Sequence, residues 1–184
     1  MKKNKITGLI TTICLITIFT LSACAQEHKK NESRLKTMNE IAHSAVLLNN
    51  QQNFIPLTKL AEQKIASVNL GFDYQVAFDS LLNKYAEITP LNAEKYKDST
   101  TLNDLADDLK YYTTVMIAVT DQMTKNGRYI NFINELTHHK SVVVAVFGEG
   151  KSLAAFDQIS AHIICSDQNT LEAPKVVPNY IFSV

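Results

Sequence analysis

The sequence predicts an α/β domain, a three-layer sandwich with a mostly parallel sheet of five to six strands and helices on both faces. Three observations lead there. Apolar runs such as Val115 to Val119 and Ser141 to Phe147 are continuous rather than alternating, as expected of strands covered on both sides. They alternate along the chain with segments whose apolar residues recur at helical spacing. Of the 184 residues, the first 23 read as a removable leader, which leaves 161 for about one domain with a core of its own. A (β/α)₈ barrel needs about 250 residues and has no room beside it.

Each element follows from its own stretch of chain. Leu35, Met38, Ile41, Ala42, Ala45 and Leu48 form an apolar stripe that predicts a helix, ended by the polar run Asn49 to Asn53. Phe54-Ile55-Pro56-Leu57 reads as an extended connector, and Lys64 to Leu70 as a strand closed by a sharp turn at Gly71. Tyr74 to Tyr85 carries Val76, Ala77, Leu81 and Leu82 at helical spacing. Ile88 to Leu91 is a weak strand that Pro90 assigns to a sheet edge. Thr100 and Thr101 can cap a helix through Tyr111, with Asp104, Asp107 and Asp108 in its first half, where carboxylates suit the helix dipole. Asn126 to His139 is helical through Tyr129, Ile130, Ile133 and Leu136. Ser141 to Phe147 is the strongest strand, Ser152 to Gln158 a short helix, Ala161 to Cys165 the next strand, and Tyr180 to Phe182 a last one behind Pro178. Crossovers between the parallel strands should be right-handed. There is no internal repeat, low-complexity tract or second domain.

Residues 1–23 have the layout of an export signal: cationic Met1 to Lys5, then 18 uncharged residues from Ile6 to Ala23. The segment closes on Leu21-Ser22-Ala23-Cys24, which resembles the bacterial lipobox. That resemblance implies a diacylglyceryl group on the Cys24 thiol, cleavage before Cys24 and acylation of the new amino terminus. Two or more acyl chains anchor stably where one is marginal. An uncleaved spanning anchor and an ordinary cleaved signal with an incidental Cys24 are the alternatives. Residues 24–36 then form a polar tether and residues 37–184 the domain. The expected location is the bacterial cell envelope, on a periplasmic membrane face or the cell surface. Without the leader the chain carries 15 basic and 18 acidic residues, a charge of −3 that offers nothing to nucleic acid.

Cys14 leaves with the leader and Cys24 is modified, so only Cys165 remains and no intrachain disulfide forms. Within Ala161 to Cys165 it reads as a small buried hydrophobe. Gly148-Glu149-Gly150-Lys151-Ser152 has the strand-to-helix setting of a phosphate-binding loop. Ala145 stands where that motif needs its first glycine, so a tight turn is the better reading. His138 and His139 are adjacent and point apart on a helix, and His28, His43 and His162 lie far off in sequence, so no metal site is predicted. No Gly-x-Ser-x-Gly elbow is present, and no cofactor is implied. Asp104, Asp107 and Asp108 share a helical face that reads as solvated. In open α/β sheets ligands bind beyond the carboxyl ends of the strands. Those ends carry Asn69, Gly71 and Asp73; Asp121 and Gln122; Gly148 and Glu149; and Asp167 and Gln168. Asp73, Asp121, Glu149 and Asp167 are therefore the candidate ligand residues, suited to sugar hydroxyls and equally to solvated turns.

Ile41 to Asn50 followed by Phe54-Ile55-Pro56-Leu57 resembles the entry to the carboxy-terminal α/β-sandwich domain of glycoside hydrolase family 3. That domain carries a "Ser-x-x-Leu-Leu-x-Asn" phrase and then "Leu-Leu-Pro-Leu" before its first strand, which Lys64 to Gly71 resembles. Val142 to Phe156 is similar to the family's "Val-x-Phe-Gly-Asn-Pro-Tyr-x-Leu", with Glu149-Gly150-Lys151 in place of its Asn-Pro-Tyr turn. Ala161 to Asp167 resembles the strand after it, and Tyr180-Ile181-Phe182 a "Leu-Ile-Phe-Gly" near the end. The likeness covers about residues 37–184. Family members work through an amino-terminal barrel that supplies the nucleophilic aspartate, and in the β-N-acetylhexosaminidase branch a barrel loop supplies a His/Asp acid-base pair. Neither fits before residue 37, and the acid-base glutamate loop of other branches has no match here, so no catalytic residue is carried over. The resemblance implies a membrane-anchored module without glycosidase activity of its own, binding carbohydrate or peptidoglycan fragments or a separate catalytic barrel. The alternatives are the accessory half of a split β-N-acetylhexosaminidase and a vestigial fragment.

Overall fold

The computed structural model describes residues 44–91, 93–96, 99–148, 150–151, 153–166 and 173–182. The leader, Cys24, the tether, Glu149 and Asp167 lie outside these residues, as does the part of the predicted first helix before residue 44. Six strands form one sheet: β1 (Ala45–Asn49), β2 (Ile65–Leu70), β3 (Ile88–Leu91), β4 (Thr114–Thr120), β5 (Ser141–Phe147) and β6 (His162–Ser166). Their order is β1-β6-β5-β4-β2-β3. All neighbours pair in parallel except β1, which runs antiparallel to β6 along the edge. The predicted α/β sandwich is thus the observed fold.

The continuous apolar runs sit where their composition requires. β4 is buried along its whole length, and so is β5 beyond Ser141, because each has a strand on both sides and helices above and below. Side chains alternate between two separate cores. One holds Val68, Ile117, Val119, Val144 and Val146; the other holds Ile65, Met116, Ala118, Val143 and Phe147. Burying a Val, Ile or Phe side chain completely stabilises by about 1.5–3 kcal/mol over leaving it exposed.

Helices cover both faces. α1 (Gln75–Leu82) brings Phe78 and Leu82 to the second core. α2 (Ser99–Asp108) brings Leu102 and Leu105 to the first, joined by Ile133 and Leu136 of α4 (Gly127–Thr137). The short α3 (Asp121–Thr124) follows β4 directly, and α5 (Val177–Phe182) returns to the second core with Val177 and Ile181. Asn126 caps α4, its side-chain oxygen accepting from the Arg128 amide at 3.1 Å.

Four expectations are corrected. Ala45 to Asn49 is strand rather than the end of a helix, because β6 offers its outer edge as a pairing partner. Tyr180 to Phe182 lies in α5 rather than a last strand: β1 already holds the edge beside β6, and the Tyr180 hydroxyl donates to the Ala45 carbonyl at 2.7 Å. In α1 the inward residues are Phe78, Asp79 and Leu82, while Val76 points to solvent. α2 begins at Ser99, so Thr100 and Thr101 lie inside it, and Asp107 and Asp108 fall at its carboxyl end, where the dipole opposes them. Partners offset that opposition. Lys110 pairs with Asp107 at 2.5 Å, and Asp108 accepts from the Tyr96 hydroxyl at 2.5 Å and faces Lys95 at 3.5 Å. The Tyr96 hydrogen bond holds the Asp108 carboxyl below the usual range.

Candidate functional site

The strand order places the reversal of the sheet between β2 and β4. From β2 the chain crosses to β3 at one edge; from β4 it moves the other way, to β5 and β6. α1 leaves β2 on one face and α4 follows β4 on the other, and the rule for open α/β sheets puts the candidate site at the carboxyl ends of these two strands.

The β2 side is organised by Asn69. Its side-chain oxygen accepts from the Phe72 amide at 2.7 Å, and its Nδ2 donates to the Phe72 carbonyl at 2.7 Å and to Gln75 at 3.1 Å. These bonds fold the chain around Gly71, whose φ of +80° is open to glycine at little cost. A side chain there would also collide with Met123, whose Cγ would lie 2.5 Å from an added Cβ. Gly148 plays the same part at the end of β5, where an added Cβ would run into the Asp121 carboxylate. The two glycines let α3 lie across the ends of β2 and β5, with Met123 over one and Asp121 over the other. Below, Phe72 stacks on Phe147 with ring centroids 3.8 Å apart, and Phe78 meets both rings edge-on.

Of the four candidate ligand residues, Asp73 and Asp121 lie in the described part. Asp73 is exposed in the β2–α1 turn, and among the described residues no hydrogen bond or ion pair engages it. Asp121 is half-buried against Gly148. The glycine turn expected after β5 is present, with φ of +72° at Gly150 and a single turn of 3-10 helix from Leu153 to Phe156 in place of the longer helix expected. Among the described residues, no group of three or more His, Cys, Asp or Glu side chains could hold a metal ion.

A buried polar network escaped the sequence reading. The Ser67 hydroxyl, in the middle of β2, donates to Asp79 of α1 at 2.6 Å, and Gln75 also bonds the Asp79 side chain. Burial pushes the Asp79 carboxyl above its usual range, against the pull of these two donors. The signal was in the alternation: Ile65, Ser67 and Asn69 share one strand face, and a serine facing a helix needs a polar partner. Asp79 faces inward against the middle of β2, away from the turns at the strand ends.

No family model and no curated protein matches the chain. Solved structures do. A fungal multi-domain glycoside hydrolase family 3 β-N-acetylglucosaminidase, described with a GCN5-related glucosamine N-acetyltransferase region, matches with a TM-score of 0.66 at 16% identity over 78% of this chain and 17% of its own. A family 3 β-N-acetylglucosaminidase from Paenibacillus sp. str. FPU-7 matches with a TM-score of 0.61 at 11% identity, over 78% of this chain and 29% of its own. At these identities the likeness is one of fold: the chain has the architecture of a region within these family 3 enzymes and spans less than a third of the length of either.

Proposed function

We propose that this chain is a lipid-anchored, non-catalytic sandwich module of the glycoside hydrolase family 3 type, held in the bacterial envelope through Cys24. It serves a catalytic barrel carried on a separate polypeptide. The observation that carries this reading is the pair of matches over 78% of this chain to regions of larger β-N-acetylglucosaminidases. Retaining glycoside hydrolysis needs two carboxyl groups about 5–5.5 Å apart, and among the described residues the one buried carboxyl, Asp79, is engaged by Ser67 and Gln75. Fold alone confers no reaction.

Affinity capture from detergent-solubilised envelope tests the partnership. A family 3 barrel protein should co-purify, and the mixture should turn over a chromogenic N-acetylglucosaminide faster than the barrel alone. That increase would assign the accessory half of a split β-N-acetylhexosaminidase. Capture of peptidoglycan fragments without a barrel would instead assign glycan binding to the strand-end turns that carry Asp73 and Asp121. Cys24→Ala should move the protein from the membrane pellet to the soluble fraction and remove the acyl mass from its amino terminus. Retention in the pellet would refute the anchor.

A further inference from the structure

His162 opens β6 on the sheet face that carries α1 and α5, at the amino-terminal end of the parallel strands. It is 7% exposed, and its Nδ1 has no hydrogen-bond partner. The ring lies flat on Phe54, centroids 4.5 Å apart and planes 15° apart. Phe54 belongs to the loop between β1 and β2, whose Ile55 and Leu57 are buried in the second core while Gln51 to Asn53 stay exposed. Asn50 brackets the loop, donating from Nδ2 to the Ile55 carbonyl at 2.6 Å and accepting from the Ile55 amide at 2.8 Å. The Leu57 amide donates to the Ile181 carbonyl of α5 at 2.7 Å. Gln52 and Asn53 sit at φ of +57° and +53°, a region that side chains other than glycine enter at a cost. Phe54 itself is only half-buried.

We infer that the Gln51–Phe54 turn is a pH-sensitive clasp: protonation of His162 breaks its stack on Phe54 and releases this turn, while Ile55 and Leu57 stay buried in the core. A second ring proton needs an acceptor, and none faces Nδ1. The packed elements bring up Phe54, the paired Val143 of β5 and, through its bond to the Ala161 carbonyl, Asn49 of β1; none of them titrates. Cation–π attraction to Phe54 would remain in the charged state but cannot satisfy that proton. Burial lowers the affinity of the ring for the proton while the turn is closed. Once the turn opens, the ring returns to its ordinary value of 6.5, so opening grows as pH falls through that value.

Hydrogen exchange on the full-length chain in detergent reads this directly, corrected for intrinsic exchange. The Phe54 amide, bonded to the Gln51 carbonyl, should open up to roughly tenfold more often at about pH 5.5 than at about pH 7.5, while Leu57, β4 and β5 hold their protection. His162→Gln and His162→Phe do not titrate, and in either one the pH dependence should vanish. The inference is overturned if wild-type protection of the Phe54 amide is flat across this range. It also fails if the loss extends equally to β4 and β5, or survives in a neutral variant that folds. Should neither variant fold, the ring signal of His162 in the wild type decides: titration at or above 6.5 in the closed state refutes the clasp.

Discussion

Asp79 and His162 are buried on the same face of one sheet, and burial opposes charge in both. It raises the carboxyl and lowers the imidazole. They differ in company. Asp79 receives hydrogen bonds from Ser67 and Gln75, both from its own strand-helix unit, whereas the Nδ1 of His162 faces no partner. The pH consequences run in opposite directions. A raised carboxyl favours the folded state most below 3.8 and loses that contribution as pH climbs through its folded value. A lowered imidazole contributes fully above 6.5 and loses it as pH falls toward its folded value. The lesson is that burial alone makes a titrating group a pH sensor, and local donors decide how firmly it is held.

Substitutions can break this contrast at several points. The largest effect is expected on the Asp79 side from Phe147→Ala, which removes the ring under Phe72 and Phe78 and should cost about 3–5 kcal/mol in urea denaturation. Phe54→Ala is the matching change beside His162, and because Phe54 is half-buried it should cost only about 1–2 kcal/mol. Ser67→Ala leaves a buried carboxyl without its shortest hydrogen bond. It should cost about 1–3 kcal/mol at neutral pH and push Asp79 still higher, measurable as a steeper loss of melting temperature from pH 4 upward. Asp79→Asn keeps the shape without the charge. It should stay within about 1 kcal/mol of wild type at pH 7 and abolish the decline in stability that begins above 3.8. The smallest effect belongs to His162→Gln at pH 8, where the wild-type ring is already neutral. Its signature is the missing loss of stability below 6.5 in pH-dependent melts.

Legibility in the sequence followed burial and pairing. β5 was readable to the residue because Val142 to Phe147 is apolar throughout, as in a strand covered on both sides. Pro90 marked β3 as an edge strand correctly, since an edge needs only one row of ladder bonds. β1 was misread because Ala45 and Leu48 continue a helical spacing from residues before them, and no local feature tells such a stretch that a strand edge awaits it. α1 was phased wrongly because a carboxylate, Asp79, takes an inward position that a search for apolar stripes passes over. At the candidate site, Asp73 and Asp121 were named from the rule that ligands gather at strand ends, and the structure puts both in turns at those ends. The role of Gly148 in admitting Asp121, and of Gly71 in admitting Met123, depends on residues far apart in sequence.

From the order of its residues alone, the chain determined the α/β class, the central strands, the glycine turns after β2 and β5 and the resemblance to a sandwich domain of family 3 enzymes. These rest on short-range regularities: runs of β-branched residues, helical spacing, and turns that favour glycine. The tertiary structure alone decided the antiparallel pairing of β1, the helical state of Tyr180 to Phe182, the Ser67–Asp79 bond and the stack of Phe54 on His162. Each depends on which distant surface remains available once the other strands have paired, and neighbouring residues carry no record of it.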